Sequence, residues 1–503
     1  MKRIDELYFG NANGDMESKR PEFENLFYKG NNKYRTIMFD KTKFIVSGQK
    51  GTGKTIMGKY IDYTYKKENR SCKILNRNDL LLHKLIELEN IDLNKDDYAA
   101  FYIWFILREL SKVIISTNVN TKDKSLLDKI LIKIKYSYYK FKLKRFFDIR
   151  YDKNGNYGCE KYDSSGETTG KGTVFSLVRK FNATKIKKKF YKVIEPVKEL
   201  VYKCMRYNDI ILILDDLDEL DTSKKLNEET SLLIINLINA IREINEDLYN
   251  ISKDSLSKII LLIRTDILDT INKHSSNLAK IRTDSEVNLY WIDKKEEPTQ
   301  HMLMQMIIHK IRQTAIEFKD KDDNYIYEKL FPEYIDKKDM VTYLIDYSFG
   351  RPRDIITYLN IIKDKFGDKD KFLSGMFTEC RSDYSLAFKR ELYNELCIHK
   401  DANYTDELFQ LLSDYGKRTF KFEQIRYYYD SNKDSYPHIK SLEECINICY
   451  RFGILGNSRR NTSKKKNAPK YLYSWAYRKD GNSNANFDIS FTVHFGLRKA
   501  LSL

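Results

Sequence analysis

Residues 44–55, FIVSGQKGTGKT, decide the fold of this chain, because a run of apolar β-formers leads directly into a glycine-rich loop. The loop fits G-x-x-x-x-G-K-[ST], with Gly48, Gly53, Lys54 and Thr55 in the required places. Glycines let the backbone curl with its N–H groups around a phosphate, and the following helix presents its positive end to that anion. A strand pattern before the motif and a helical pattern after it predict a phosphate loop. The alternative is a glycine turn that binds no ligand.

The phosphate loop implies two ligands, ATP and Mg²⁺. The Lys54 ammonium would span the β- and γ-phosphates, and the Thr55 hydroxyl would ligate the metal ion. The residues predicted to bind the nucleotide are Gly48, Gln49, Lys50, Gly51, Thr52, Gly53, Lys54 and Thr55.

A second chemical landmark is the stretch DIILILDDLDEL at residues 209–220. Its five consecutive apolar residues predict a strand buried on both faces, as in a parallel sheet. Asp215 follows this strand, where it would reach the water shell of Mg²⁺ and serve with Thr55 as a metal-binding residue. Asp216 is placed to orient or deprotonate the attacking water. The two stretches together predict a nucleotide-hydrolysing site.

A further apolar stretch, KIILLIRTDIL at residues 258–268, predicts another buried strand. Arg264 stands at its end, which makes it a candidate sensor of the γ-phosphate. The alternative is that Arg264 pairs with Asp266 for structure alone.

The segment SFGRPRDIITYLNIIKDKF at residues 348–366 predicts a chain break followed by a helix. Gly350 and Pro352 end the preceding structure, and Pro352 suits the first helical position. Arg353 then stands near the helix start, where a lid could bring it over the nucleotide. Helix capping and a salt bridge are the alternative role.

The net charge of +17 is concentrated in the middle of the chain. We expect roughly 160 residues between Thr55 and the next core strand, far more than one crossover needs, so an insertion is predicted there. Its densest parts are KIKYSYYKFKLKRFFDIR (133–150) and VRKFNATKIKKKFYK (178–192). Lysines interleaved with aromatic rings suit nucleic acid or another acidic partner. An amphipathic helix with a solvated lysine face is the alternative.

The last hundred residues predict helices followed by two strands around a basic loop. The loop cations are Arg459, Arg460, Lys464, Lys465 and Lys466. Alternating apolar residues from Phe491 to Leu497 predict the final strand. This order indicates a winged helix, which binds either DNA or another protein domain.

Composition excludes several classes of protein. The 503 residues are 42% hydrophobic and suffice for two to four domains with real cores. No apolar run reaches the roughly twenty residues of a membrane span, and the N-terminus lacks a signal-peptide core, so we expect a cytoplasmic protein without a membrane partner. The seven cysteines are scattered, and we expect reduced core residues rather than a zinc site.

The order of these motifs resembles the AAA+-related STAND P-loop ATPases, and more narrowly uncharacterised bacterial ATPases found beside antiviral defence genes. Origin-recognition initiator ATPases share the arrangement of ATPase core, lid and winged helix. The resemblance implies that Asp216 is the catalytic carboxylate, that Arg353 is sensor 2, and that subunits assemble. The trans-acting arginine would be Arg242 or Arg282. An aspartate at position 216, where AAA+ proteins usually have glutamate, implies slow turnover.

The sequence therefore predicts an α/β fold: a parallel P-loop sheet with a helical lid and a C-terminal winged-helix-like domain. The expected parts are residues 1–118 and 206–298 for the two halves of the ATPase core, 119–205 for the basic insertion, 299–395 for the lid and 396–503 for the winged helix. The predicted function is an ATP-driven switch in antiphage defence, acting on nucleic acid or an effector protein. The alternatives are a DNA-binding initiator or repair ATPase and a nucleotide-binding scaffold that does not hydrolyse.

Overall fold

The computed structural model describes residues 3–30, 32–76, 95–119, 125–147, 149–151, 157–159, 183–215, 228–251, 255–293, 297–462, 470–478 and 484–503. The helices are α1 Gly14–Ser18, α2 Phe23–Leu26, α3 Lys33–Phe39, α4 Lys54–Lys67, α5 Lys95–Ser116, α6 Leu126–Phe147, α7 Ala183–Met205, α8 Glu228–Ile251, α9 Thr265–Ile271, α10 Ser276–Ser285, α11 Met302–Thr314, α12 Asp323–Leu330, α13 Met340–Tyr347, α14 Pro352–Phe366, α15 Ser374–Glu379, α16 Arg381–Leu396, α17 Ala402–Tyr415, α18 Phe422–Ser431 and α19 Leu442–Arg451. The strands are β1 Ile45–Gly48, β2 Ser71–Leu75, β3 Ile149–Tyr151, β4 Tyr157–Cys159, β5 Ile210–Leu214, β6 Lys258–Arg264, β7 Glu286–Asn288, β8 Tyr334–Ile335, β9 Lys338–Asp339, β10 Thr419–Phe420, β11 Leu455–Arg460, β12 Tyr471–Ser474 and β13 Ser490–Val493.

The chain divides into two compact units. The sheet unit comprises Asn32–Gln49 and Lys54–Leu289, and the helical unit comprises Met1–Asn31, Lys50–Gly53 and Tyr290–Leu503. The boundary thus falls twice within the glycine-rich loop.

The sheet unit is built on a five-stranded sheet in the order β2-β5-β6-β1-β7. Every pairing is parallel, and every residue of β5 and β6 is buried. Continuous burial reflects helices on both faces, which explains the unbroken apolar runs of these two strands. The prediction of a parallel sheet is confirmed, and such a sheet is compatible with a P-loop fold.

Strand β2 was not expected, and the prediction of no core strand between Thr55 and residue 210 is wrong. Its sequence, SCKIL, lacks a long apolar run because β2 lies at the edge of the sheet and is largely half-buried. Lys73 of β2 donates to the buried Glu109 carboxylate of α5 at 2.8 Å. Burial alone would raise the pKa of Glu109, but Lys112 and Lys73 outweigh it and hold the pKa below its usual value.

Helix α4 lies close against the sheet because of a glycine. A Cβ atom at Gly58 would lie 2.9 Å from Leu262 Cδ1 of β6, nearer than such atoms approach. The helix that begins at Lys54 is therefore held tightly over the strand next to β1.

The helical unit changes character along its length. Residues 302–396 are mostly helical, and α17, α18 and α19 then accompany a four-stranded sheet in the order β10-β13-β11-β12. The pairings are antiparallel, and β11 and β12 form a hairpin in which Arg460 lies opposite Tyr471. The prediction of helices followed by strands around a basic loop agrees with this order.

The final strand is shorter than its apolar alternation predicts. Strand β13 ends at Val493, and Phe495–Leu497 forms a 3₁₀ turn. The Gly496 N–H donates to His494 Nδ1 at 3.1 Å, which closes the turn, yet Phe495 and Leu497 remain buried. Every residue from Phe491 to Leu497 is buried, so burial in this segment is continuous and does not follow the alternation of its apolar residues. Across the chain segments that the structure describes, no helix is both long and apolar enough to span a lipid bilayer.

Candidate functional site

The glycine-rich loop joins β1 to α4, as its motif requires. In the sheet unit the Lys54 side chain is buried, and its ammonium donates to the carbonyl oxygens of Gly48 at 3.0 Å and Gln49 at 3.1 Å. The ammonium is therefore directed back along its own loop rather than into solvent. Thr55 follows in the first turn of α4 and is half-buried.

The middle of the loop, Lys50–Gly53, adopts a conformation that depends on glycine. Gly51 and Gly53 have φ values of +83° and +94°, which side chains disfavour. A Cβ atom at Gly51 would also lie 2.9 Å from Arg353 Cβ. Both the backbone angle and the close approach exclude a larger residue at position 51.

Within the helical unit, two hydrogen bonds hold the middle of the loop. The backbone N–H of Arg353 donates to the Gly51 carbonyl oxygen at 3.3 Å. The Trp291 indole N–H donates to the Thr52 carbonyl oxygen at 2.9 Å, and the Trp291 side chain is buried. The Arg353 backbone therefore lies beside the middle of the loop, and its action on a nucleotide stays a prediction. The contact of Trp291 was not predicted.

The Arg353 side chain donates hydrogen bonds to Ala12 and Glu391. Its Nε donates to the Ala12 carbonyl oxygen at 3.0 Å, and its Nη1 donates to Glu391 of α16 at 3.1 Å. Lys50 Nζ lies 3.4 Å from the same Glu391 oxygen. One carboxylate thus contacts a cation of the loop and the candidate sensor arginine. Sequence reasoning missed Glu391 because it lies far along the chain in an unremarkable helix.

The other arginine of the GRPRD segment, Arg351, has a structural role. It is 1% exposed and pairs with Asp354 through Nε at 2.9 Å and Nη2 at 3.0 Å, and with Glu395 at 2.7 Å. Burial would lower the pKa of Arg351, but the carboxylates of Asp354 and Glu395 outweigh it and raise the pKa. Asp354 also accepts from the Phe349 N–H at 3.0 Å. Arg351 therefore fixes the turn that presents Arg353.

The carboxyl ends of β5, β6 and β1 lie at one edge of the sheet because the three strands are adjacent and parallel. In open α/β sheets ligands bind at this edge. Asp215 follows β5 and is 3% exposed, and its N–H donates to the Leu75 carbonyl at 2.9 Å. The strand order thus places Asp215 and the start of the glycine-rich loop at the same edge.

Arg264 ends β6 and is 1% exposed. It makes a bidentate pair with Asp266, with Nε–Oδ1 at 2.9 Å and Nη2–Oδ2 at 2.7 Å. A purely structural role for Arg264 predicted this pairing with Asp266. Both this structural role and a role as sensor of the γ-phosphate stay predictions.

A polar network that the sequence did not reveal joins β1, β6 and β7. The Ser47 hydroxyl donates to Glu286, and Asn288 Nδ2 donates to Ser47 Oγ at 2.8 Å and to Thr265 Oγ1 at 3.4 Å. Ser47 and Asn288 lie towards the carboxyl ends of β1 and β7, Glu286 is the first residue of β7, and Thr265 begins α9 directly after β6. They tie the strand that precedes the loop to its two neighbours.

Asp216 lies outside the described residues. Within the described ranges no three His, Cys, Asp or Glu side chains cluster as metal ligands. The two residues predicted to hold Mg²⁺, Thr55 and Asp215, offer oxygen ligands, which suit an ion that takes few protein ligands together with substrate phosphates. The positive-φ glycines and the inward ammonium of Lys54 fit a phosphate in the same way.

The basic regions are exposed where the structure describes them. Helix α6 buries Tyr136 and Leu143 but exposes Lys133, Lys135 and Lys142. Its exposed apolar side chains include Leu127, Ile134, Tyr138 and Phe141. Lysines and apolar side chains are thus interleaved on the exposed surface of this helix and are not separated onto two faces. Residues 178–192 and Lys464, Lys465 and Lys466 lie outside the described residues or have undescribed side chains, whereas Arg459 and Arg460 are exposed at the end of β11.

The two candidate trans arginines differ in their partners. Arg282 pairs with Glu286 and Asp269, each at 2.8 Å, and its side chain is 20% exposed. Arg242 lies 3.6 Å from Glu246 and is 36% exposed. Arg242 is therefore the more accessible of the two.

Comparison with protein families gives a partial match. A family described as the FunZ-associated C-terminal helical domain matches residues 301–393, which contain α11 to α15 and most of α16. Among curated proteins none matches the chain. The matched span includes Arg353 and Glu391, which contact the middle of the glycine-rich loop, and Arg351.

Proposed function

We propose that this protein binds ATP with Mg²⁺ and hydrolyses it slowly, as a switch. The observation that carries the proposal is the glycine-rich loop between β1 and α4, with two positive-φ glycines and the Lys54 ammonium turned to the loop carbonyls. A buried cation in a glycine-rich turn at the start of a helix suits a phosphate chain.

The residues divide the chemistry among them. Lys54 and the loop amides bind the phosphates, Thr55 and Asp215 hold the metal ion, and Asp216 orients the attacking water. Mg²⁺ supplies charge neutralisation on the phosphates when bound. Arg353 responds to the nucleotide in this proposal, and the hydrogen bond from its N–H to the Gly51 carbonyl supports that role. Arg264 is the second candidate sensor.

The biological role is proposed from resemblance. We place the switch in bacterial antiphage defence, with nucleic acid or an effector protein as the partner, and we expect a homo-oligomer in which Arg242 or Arg282 acts on a neighbouring subunit. The match of residues 301–393 to a FunZ-associated domain supports a shared module in the C-terminal half.

A DNA-binding initiator or repair ATPase is the second candidate function. The exposed lysines and aromatic rings of α6, together with Arg459 and Arg460, support it. Such surfaces bind polyanions through phosphate contacts and ring stacking.

The test is ATP binding and turnover by the full chain, alone and with double-stranded DNA, single-stranded DNA or RNA. The expected result is slow ATP turnover that requires Mg²⁺. Lys54→Ala is expected to abolish both ATP binding and turnover. Asp216→Asn is expected to retain ATP and lose turnover, and full function in Asp216→Asn would instead favour a non-hydrolysing scaffold. Stimulation by one polymer would identify nucleic acid as the direct ligand. Unaltered ATP binding in Lys54→Ala would refute the proposal.

A further inference from the structure

The middle of the phosphate loop carries a cation whose counter-ion comes from elsewhere in the helical unit. Lys50 Nζ and Arg353 Nη1 converge on Glu391 Oε2, at 3.4 Å and 3.1 Å. The three side chains are 29%, 26% and 34% exposed, so water and solutes reach them.

We propose that Glu391 is a positioning residue of the nucleotide site, which occupies Lys50 and Arg353 in the absence of the γ-phosphate and is displaced from them when ATP binds. This inference rests on the proposed function and deepens it. It identifies Glu391 as the residue whose contacts differ between the ATP and ADP states, and α16 as the helix that transmits this difference.

The chemistry of the three groups supports an exchange of anions. Burial alone would raise the pKa of Glu391, but Lys50, Arg353 and Arg351 outweigh it and hold the pKa below its usual value. Glu391 is therefore an anion at neutral pH. A γ-phosphate offers the same cations several oxygens and more charge, and charge-assisted contacts of this kind are strong. ADP lacks that group and competes less.

Displacement of Glu391 would act on a helix with anchors at both ends. Glu395, one turn further along α16, is held by Arg351 at 2.7 Å. Near the other end of α16 the Ser385 hydroxyl oxygen accepts the Ala500 N–H at 2.9 Å. Phe388 lies between them, with its ring 5.2 Å from the His494 ring. Helix α16 thus connects the residue that meets the loop to the turn that follows β13.

The experiment measures ATP and ADP affinity of the full chain by calorimetry. Glu391→Gln is expected to bind ATP about three- to fivefold more tightly, the range of a partly exposed ion pair, with a smaller change for ADP. The matched control is Glu379→Gln, which removes the partner of Lys365 at 2.9 Å and should change neither affinity. In a protein that also carries Arg353→Gln and Lys50→Met, Glu391→Gln should no longer change ATP affinity, because the two cations that Glu391 contacts are absent.

A second measurement follows amide exchange in residues 490–497. The unmodified protein should differ between its ATP and ADP states there, and Glu391→Gln should not. Unchanged or weaker ATP binding in Glu391→Gln, an equal effect of Glu379→Gln, or an effect that persists in the double background would overturn the inference. If the unmodified protein does not bind ATP, or Lys54→Ala binds it equally well, the proposed function fails and the inference falls with it.

Discussion

The backbone N–H of Arg353 donates a hydrogen bond to the carbonyl oxygen of Gly51. These residues lie about three hundred positions apart in sequence. A Cβ atom at Gly51 would nevertheless lie 2.9 Å from Arg353 Cβ, so Gly51 has no room for a side chain. The backbone of Arg353 is therefore in direct contact with the middle of the glycine-rich loop.

Gly51→Ala tests this contact. Alanine at φ +83° costs about 1–2 kcal/mol of backbone strain, and its methyl group would press on Arg353. We expect a lower melting temperature and weaker ATP binding. The control is Gly375→Ala in α15, where the new methyl group meets nothing within 4 Å and helix propensity favours alanine. Equal behaviour of the two variants would contradict a special role for position 51.

The two arginines of the GRPRD segment should separate stability from nucleotide binding. Arg351→Met leaves Asp354 and Glu395 buried without their cation, which typically costs about 3–5 kcal/mol. Arg353 is partly exposed, so Arg353→Gln should cost less than about 1 kcal/mol of stability but change the ATP to ADP preference. Urea denaturation and nucleotide titration measure the two quantities. A large loss of stability in Arg353→Gln would assign both residues to structure.

The buried ion pairs of Glu109 predict a pH dependence. Glu109 is 4% exposed between Lys73 and Lys112, so Glu109→Gln should lower the free energy of unfolding by about 3 kcal/mol at pH 7. The folded-state pKa lies below the ordinary 4.5, so the stabilisation is complete above that pH and is lost as pH falls through the folded-state value. In unfolding curves, the difference in free energy of unfolding between the unmodified protein and Glu109→Gln should be smaller at pH 3.5 than at pH 7. An equal difference at both pH values would show that the charge of Glu109 is not its cause.

Salt dependence tests nucleic acid as the partner of α6. Each lysine that contacts a phosphate of duplex DNA contributes about 0.9 to the slope of log affinity against log salt. The triple variant Lys133→Gln, Lys135→Gln, Lys142→Gln should therefore flatten the slope. A control with the same charge change is Lys319→Gln, Lys329→Gln, Lys417→Gln, whose lysines are exposed in the helical unit. Identical slopes for the two triple variants would place any DNA site elsewhere.

The sequence predicted the structural features that local chemistry encodes. The glycine-rich turn between β1 and α4 and the strand before Asp215 follow from spacing and continuous apolar character, because a tight glycine turn and a doubly covered strand restrict their residues one by one. Strand β2 escaped prediction because an edge strand needs no long apolar run.

The contacts around the loop could not be read from the sequence. Glu391 is one of many helical glutamates, and nothing near it in sequence indicates a pairing with Lys50. The Ser47, Glu286 and Asn288 network joins strands separated by more than two hundred residues, so only the sheet order brings it together. Polar pairs of this kind join residues that only the tertiary fold brings together. A sequence motif, in contrast, reflects the local backbone conformation of consecutive residues.

The hydrogen bond from Trp291 to the Thr52 carbonyl provides the protein with an internal fluorophore at the phosphate loop. Indole emission shifts when the ring loses a hydrogen-bond partner or gains contact with water. The chain has three tryptophans, and replacing Trp104 and Trp475 with phenylalanine leaves Trp291 as the single emitter. Conformational changes of the loop could then be timed in a stopped-flow spectrometer without attaching any dye.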